Sequence, residues 1–195
     1  MALWILASSS PRRQQLLKDF GLHFRCFSPT VDEIKEGSNA KVECIPEINA
    51  QLKAEACAKQ FPESYVIGAD TVVLYQGRLF NKPKSFLEAK EMLKTLSGQT
   101  HEVITAVAII KNETLFSHHF LEKTYVTFQM LSETFINAYL QEIHPLDKAG
   151  AYAIQHPLTQ TFATLKGSFS NVMGFPIEAF SQHCKKWGLL TANMT

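Results

Sequence analysis

The segment from Ser8 to Arg13 combines residue types that bind anions. It has the sequence Ser-Ser-Ser-Pro-Arg-Arg and follows a short apolar run, Leu3 to Ala7, that is typical of a buried strand. Ser10 stands where a helix N-cap is expected, with Pro11 at the first helical position. The N–H groups of a helix start favour an anion, whereas two arginines there oppose the helix dipole unless a strongly negative ligand lies between them. The segment fits either a polyphosphate cradle or a solvated first turn.

Other charged residues supply the remaining components of phosphoanhydride hydrolysis. That reaction needs cations against phosphate oxygens, a divalent metal held by carboxylates, and an oriented water. Glu33 and Asp70 are candidate metal ligands or bases. Three lysines are candidate phosphate ligands: Lys53, Lys82 and Lys148. The sequence has no P-loop, kinase glycine loop or His-Glu-x-x-His motif, so spacing alone indicates only a phosphate-handling α/β domain.

Each of these residues also has a purely structural interpretation. Asp70 lies within Tyr65–Tyr75, the most apolar stretch of the middle of the chain. Its carboxylate therefore either binds a ligand or is a buried acid paired with Lys82. Gly68 beside it allows close approach of a backbone or a ligand. Glu33 fits a solvated acidic loop equally well, and each lysine taken alone fits a solvated surface.

Composition limits the class of protein. The 195 residues suffice for a single domain over residues 1–195, with a sizeable core. An apolar content of 46% and a charged content of 19% are typical of a globular protein in water, and the net charge of +1 indicates no bulk attraction to nucleic acid or membrane. The four cysteines lack disulfide or zinc spacing, and the apolar start is too short for a signal peptide. We expect a cytoplasmic protein that binds neither nucleic acid nor membrane.

The hydrophobic pattern predicts the elements that must position these residues. Strands are predicted at Leu3–Ala7, His23–Ser28, Tyr65–Tyr75, Arg78–Phe80, His101–Lys111, Leu115–Met130 and Thr161–Lys166. Helices are predicted after Pro11, from Pro46 to about Gln60, after Ser85, from Glu133 to Gln141 and after Pro176. Gly167–Gly174 is predicted as a loop. The two long runs that meet at Asn112 predict a hairpin, so we expect a mixed sheet covered by helices.

Several short motifs occur together and in order along nearly the whole chain. Besides the opening turn they are Gly68–Val73 (GADTVV), Lys82-Pro83, Leu96-Ser97-Gly98 followed by His101, Asp147–Gln155 (DKAGAYAIQ), and G-x-x-x-N-V-x-G-x-P from Gly167 to Pro176. On these motifs the chain closely resembles the Maf family of nucleoside triphosphate pyrophosphatases. The agreement runs from Leu3 to about Phe180, and several motifs in the right order are far more specific than any one alone.

The resemblance implies a fold, a reaction and a set of site residues. The fold would be α/β, similar to that of inosine triphosphate pyrophosphatase, with a twisted mixed sheet flanked by helices and two lobes around a deep cleft. The reaction would be hydrolysis of a nucleoside triphosphate to the monophosphate and pyrophosphate with Mg²⁺ or Mn²⁺. Asp70 matches the catalytic proton acceptor and, with Glu33, the metal site. The phosphate positions would be Lys53 and Lys82, together with the opening turn at Ser8, Ser10, Arg12 and Arg13.

The residues after Asp147-Lys148-Ala149-Gly150 separate two substrate groups within that family. The ending AYAIQ resembles the group that acts on dTTP and UTP, in which Arg12, Thr71 and Gln155 match positions tied to substrate choice. A glutamine amide both donates to and accepts from the Watson–Crick edge of a pyrimidine. The resemblance also implies a homodimer and a house-cleaning role linked to cell division arrest. A 7-methyl-GTP pyrophosphatase and a non-catalytic nucleotide-binding regulator of division are the alternatives.

Overall fold

A seven-stranded mixed sheet forms the centre of the computed structural model, which describes residues 3–35, 37 and 40–190. Its strands are β1 (Trp4–Leu6), β2 (Phe24–Cys26), β3 (Tyr65–Tyr75), β4 (Arg78–Leu79), β5 (Thr100–Lys111), β6 (Phe116–Phe128) and β7 (Ala163–Lys166). They follow the order β2-β1-β3-β5-β6-β7, and β4 pairs with β3. β1 runs parallel to β2 and β3, whereas β3, β5, β6 and β7 pair antiparallel. The expected mixed sheet is confirmed.

Seven α-helices in the same ranges accompany the sheet. They are α1 (Pro11–Asp19), α2 (Ile45–Ala58), α3 (Phe86–Leu96), α4 (Glu133–Glu142), α5 (Pro157–Phe162), α6 (Phe169–Met173) and α7 (Ile177–Lys186). Ser10 occupies the N-cap position of α1 and Pro11 its first turn, as the sequence predicts. Across the described part of the chain, none of these helices combines the length and the apolar character needed to span a membrane.

Two short helices depart from the prediction. The predicted strand over Thr161–Lys166 is wrong at its start, because Pro157 opens α5 and α5 occupies the first two of those residues. The predicted loop over Gly167–Gly174 contains α6, because the Ser168 hydroxyl accepts a capping hydrogen bond of 3.0 Å from the N–H of Asn171. Both helices are shorter than two turns, so they leave little periodicity in the sequence.

The long strands β3, β5 and β6 pass through two separate apolar clusters. One cluster packs α1 and α7 on the sheet and includes Ile67 and Phe180, and the other packs α3 and α4 and includes Leu93 and Val126. Each of these four side chains is fully buried. A cleft opens between the clusters at the middle of β3, beside Asp70. This division agrees with the two lobes expected from the resemblance.

Helix α2 lies closer to β3 than a side chain on the strand would allow. A Cβ atom built on Gly68 would lie 2.1 Å from the carbonyl oxygen of Ala50 and 2.8 Å from the backbone nitrogen of Ala54. Since alternate residues of a strand share a face, Asp70 faces α2 as Gly68 does. The close approach at Gly68 therefore brings the polar side of α2, including Lys53, against the Asp70 carboxylate.

His101 is a buried histidine near the start of β5. Its ring meets the rings of Phe128 and Tyr152 edge-on, at centroid distances of 4.9 and 5.4 Å. Its Nε2 lies 2.9 Å from the Tyr152 hydroxyl, whereas its Nδ1 has no hydrogen-bond partner in the described ranges. Burial lowers the pKa of His101 from 6.5 to about 4. The imidazole is therefore neutral at pH 7, and it ties β5 to the segment that leads to Gln155.

We expect His101 to make the protein less stable as the pH falls from 6.5 to about 4. The pKa of the folded state lies below that of the unfolded state, so the unfolded chain binds more protons in this window and the protein loses stability as the pH falls. The loss of stability should approach about 3 kcal/mol at the acid end, because one pKa unit corresponds to about 1.4 kcal/mol. Urea unfolding of the wild type and His101→Gln across this window isolates the effect, because glutamine does not titrate. A stability difference that stays constant with pH would contradict this assignment.

Candidate active site

The cleft at the middle of β3 has a volume of about 690 Å³ and gathers side chains from distant parts of the sequence. All ten site residues expected from the sequence lie on its wall. They are Ser8, Ser10, Arg12, Arg13, Glu33, Lys53, Asp70, Thr71, Lys82 and Gln155. The sequence therefore predicts the residues that the fold brings together. Their mutual contacts are what the structure adds.

Asp70 is paired with Lys53 at the base of the cleft. The Lys53 Nζ lies 2.8 Å from the Asp70 Oδ1 and 3.1 Å from the Glu33 Oε1. The Lys53 and Asp70 side chains are only 12% and 14% exposed, so their charges are largely shielded from water, whereas Glu33 is 48% exposed. The alternative in which Asp70 pairs with Lys82 is wrong, because Lys82 lies exposed at the rim and forms no ion pair with any described residue.

The carboxylates of Asp70 and Glu33 suit a divalent metal whose remaining ligands come from the substrate. Both contact the same ammonium group, so they lie close together although they come from different segments. No group of three or more His, Cys, Asp or Glu side chains able to hold a metal occurs among the described residues. Mg²⁺ is commonly bound by one or two carboxylates with water and substrate phosphates, and this donor set fits that requirement.

Arg13 is a half-buried arginine whose hydrogen bonds join separate segments of the chain. Its Nε donates to the Gly174 carbonyl at 2.8 Å, and its two terminal nitrogens donate to the Ala69 carbonyl at 2.9 Å and the Thr71 hydroxyl at 3.0 Å. A longer contact of 3.4 Å joins it to the Ser8 hydroxyl. Burial lowers the pKa of Arg13, and attraction to Asp70 opposes that shift. A guanidinium has five N–H groups, so at most one remains for a phosphate.

Arg12 lies on the wall of the cleft and is held by the carboxylate of Asp147. Its guanidinium donates to the Asp147 Oδ2 at 2.9 Å and to the Asp147 backbone carbonyl at 3.1 Å. The Lys148 ammonium also contacts Asp147 and the carbonyl of His144. Burial raises the pKa of Asp147, but the hydrogen bonds from Lys148 and Arg12 outweigh it and the pKa is lowered overall. Asp147 thus carries negative charge between two cations in the free protein.

In the opening turn, the Ser8 hydroxyl is used within the protein, whereas N–H groups at the start of α1 are available to bind an anion. The Ser8 hydroxyl accepts a hydrogen bond of 3.2 Å from the Ser10 N–H, so it stabilises the turn itself. The Ser10 hydroxyl makes no capping hydrogen bond to the described residues, and the first hydrogen bond of α1 runs from the Gln14 N–H to the Ser10 carbonyl. The N–H groups of the first turn therefore remain available for an anion in the cleft.

Thr71 and Gln155, the residues expected to choose the base, lie in unlike environments. The Thr71 hydroxyl contacts Arg13, the Thr105 hydroxyl at 3.0 Å and the Gly174 carbonyl at 3.3 Å. Its hydrogen-bonding capacity is therefore used within the protein. Gln155 has an exposed side chain at the cleft edge, where its amide is accessible.

The sequence profile of the family described as Maf-like protein matches residues 4–187. The chain belongs to this family. A relative from Cytophaga hutchinsonii, named dTTP/UTP pyrophosphatase, is 44% identical over 183 residues, which are 93% of this chain and 83% of the relative. A relative of the same name from Halalkalibacterium halodurans is 40% identical over 187 residues, 96% of this chain and 97% of the relative.

The solved structure of a HAM1 protein from Coxiella burnetii has the same fold as this Maf-like protein. The two superpose with a TM-score of 0.52 at 18% sequence identity, over 95% of this chain and 100% of the other. At this identity the likeness concerns the fold alone.

The sequence does not predict the contacts of two polar residues in the cleft of this Maf-like protein. Asn49 lies one helical turn before Lys53 and contacts Asp70, and Asp147 holds Arg12. Asp147 belongs to a recognised motif, but its partner is 135 residues away in the sequence. One feature of the sequence points to Asn49: it is a polar residue four positions before Lys53, so both lie on the same face of the predicted helix.

The two adjacent arginines should differ sharply when each is replaced by lysine. Arg13→Lys removes a planar set of partly buried hydrogen bonds and should lower the free energy of unfolding by about 2 kcal/mol. Arg12→Lys keeps a surface ion pair with Asp147 and should cost about 1 kcal/mol or less. Urea unfolding of both variants at pH 7 without ligand makes the comparison. Equal losses of stability would show that Arg13 is not the structural member of the pair.

Proposed function

We propose that this Maf-like protein hydrolyses dTTP and UTP to the nucleoside monophosphate and pyrophosphate. The observation that carries the proposal is the Asp70 carboxylate at the base of a cleft, held by Lys53 and next to Glu33. The names of its relatives, dTTP/UTP pyrophosphatase, support the same reaction and substrates. The activity belongs to the hydrolases that act on acid anhydrides.

Cations around the cleft provide the binding energy for a triphosphate. The positively charged side chains on its wall are Arg12, Arg13, Lys35, Lys53, Lys82, Lys84 and Lys148. Lys82 has no ion-pair partner among the described residues, so it is available to phosphate oxygens in the free protein. Arg12 becomes available when a phosphate replaces the Asp147 carboxylate as its partner. Positively charged groups placed against the leaving pyrophosphate stabilise the charge that develops there in the transition state.

Asp70 and Glu33 would hold a divalent cation, Mg²⁺ or Mn²⁺, together with phosphate oxygens of the substrate. Such an ion, when bound, withdraws charge from the phosphates and makes a nearby water more acidic. Asp70 accepts the proton of the water that attacks the α-phosphorus. Lys53 has three N–H groups, two of which are used by Asp70 and Glu33, so it keeps one for a phosphate oxygen.

Gln155 recognises the base in this proposal. Its exposed amide lies at the edge of the cleft and presents both a donor and an acceptor. A uracil or thymine ring presents acceptors and one N–H on its Watson–Crick edge, and an amide complements both. Thr71 contributes indirectly by fixing Arg13 through its hydroxyl.

Asp70→Asn should reduce turnover of dTTP and UTP by about 10³-fold while the protein remains folded. Asparagine preserves the shape of the side chain but neither carries negative charge nor accepts a proton in this role. Pyrophosphate release is measured with Mg²⁺ or Mn²⁺ from a panel of dTTP, UTP, the other common nucleoside triphosphates and 7-methyl-GTP. Glu133→Gln, which alters an exposed ion pair with Lys90, is the matched control and should retain full activity.

Three outcomes of the panel would contradict parts of the proposal. Turnover by Asp70→Asn at the rate of the wild type would remove Asp70 from the reaction. Release from 7-methyl-GTP alone would change the base that is recognised. Absence of release from every nucleotide, with nucleotide binding retained, would favour a binding protein that lacks catalysis.

A further inference from the structure

Asn49 is a buried polar side chain beside the carboxylates. It lies on α2 four residues before Lys53 and is 3% exposed. Its Oδ1 accepts a hydrogen bond of 2.7 Å from the Ile34 N–H, and its Nδ2 donates to the Ile34 carbonyl at 3.0 Å. The same Nδ2 donates to the Asp70 Oδ2 at 3.3 Å. Both N–H bonds of the amide and its oxygen are thus used, and all of these bonds reach residues next to or within the proposed metal site.

The contact with Ile34 fixes a segment that has no regular structure of its own. The chain from Phe27 to Lys35 forms neither helix nor strand, and Glu33 directly precedes Ile34. The Asn49 amide pairs with both backbone groups of Ile34, and the Ile34 side chain packs on the apolar cluster around Ile45. Ordering such a segment costs conformational entropy, which these contacts offset. The position of Glu33 therefore depends on Asn49 through the backbone.

Asn49 and Lys53 bind different oxygens of the same carboxylate. Lys53 contacts the Asp70 Oδ1, while Asn49 contacts the Oδ2. Two donors on successive turns of one helix hold the carboxylate plane in a single orientation. Lys53 also supplies charge that offsets the repulsion between Asp70 and Glu33, whereas Asn49 is neutral and supplies only geometry.

We propose that Asn49 is a positioning residue that preassembles the Asp70–Glu33 pair for a divalent cation. The inference rests on the proposed function for the identity of the metal-dependent reaction. Asn49 does not touch the substrate or the metal in this account. It acts by holding the Glu33 segment and the Asp70 carboxylate in register, so its loss should weaken metal binding more than nucleotide binding.

The test compares Asn49→Leu with Cys57→Ala. Leucine has the same branched shape and number of heavy atoms as asparagine, although it is bulkier, and it makes none of its hydrogen bonds. Cys57 is a buried residue of the same helix that packs away from the cleft, so its replacement controls for a general loss of stability. Loss of a residue that orients metal ligands typically weakens metal binding by about 10-fold or more. We expect the Mn²⁺ concentration for half-maximal turnover to rise by that factor in Asn49→Leu, with the KM for UTP at saturating Mn²⁺ nearly unchanged.

Two readouts do not depend on turnover. Binding of Mn²⁺ to the protein, followed by electron paramagnetic resonance, should weaken in Asn49→Leu and not in Cys57→Ala. Hydrogen exchange at the Ile34 amide should accelerate only in the Asn49 variant, since its acceptor is removed. Asn49→Ala provides the same measurements if Asn49→Leu fails to fold, because water then reaches the Ile34 backbone.

A double variant identifies the route of the effect. In the Glu33→Gln background, Asn49→Leu should raise the Mn²⁺ requirement by a smaller factor than in the wild type. The route through Glu33 is already lost there, the route through Asp70 remains, and coupled residues do not contribute additively. Full additivity with Glu33→Gln, or an equal shift of the Mn²⁺ requirement in Cys57→Ala, would overturn the inference. A wild type that releases no pyrophosphate would instead contradict the proposed function, and Mn²⁺ binding and Ile34 exchange would still decide the role of Asn49.

Discussion

The ion pair between Lys53 and Asp70 is the interaction on which the cleft depends. The two charges lie 2.8 Å apart and are mostly buried. Removal of one partner from such a shielded pair leaves the other charge with fewer compensating contacts, so each residue holds the other in place. The pair exists because Gly68 lets α2 approach β3 at backbone distance. The same ammonium also contacts Glu33, so one lysine sets the positions of two carboxylates from separate segments.

The side chains of the consecutive β3 residues Asp70 and Thr71 point to opposite faces of the sheet. Asp70 faces α2, where the proposed chemistry takes place, and Thr71 faces Arg13 and the Gly174 carbonyl. Arg13 joins three segments there and fixes the start of α1 at the cleft. The apparent conflict of two arginines at the positive end of a helix dipole is resolved because they have different environments. Arg13 is compensated by buried carbonyls, and Arg12 by a carboxylate across the cleft.

Local pattern predicted most of the fold but few of the contacts within the site. The bounds of β3 follow from a continuous apolar stretch and the hairpin from two long β-rich runs, and the site residues follow from the motifs shared with the Maf family. The role of Arg13 does not, because its main acceptor lies 161 residues away in the sequence. For the same reason, the sequence suggested Lys82 and not Lys53 as the structural partner of Asp70. Lys53 and Lys82 are both lysines, and only the packing of α2 against Gly68 decides between them.

Oxygen labelling of the products tests the central claim most directly. The protein is incubated with UTP and Mg²⁺ in ¹⁸O-enriched water, and the products are separated and analysed by mass spectrometry. Attack of water at the α-phosphorus in this cleft predicts one ¹⁸O atom in UMP and unlabelled pyrophosphate. Label in pyrophosphate, or release of labelled inorganic phosphate with UDP, would contradict the account, because the attacked phosphorus would then not be the one placed beside Asp70.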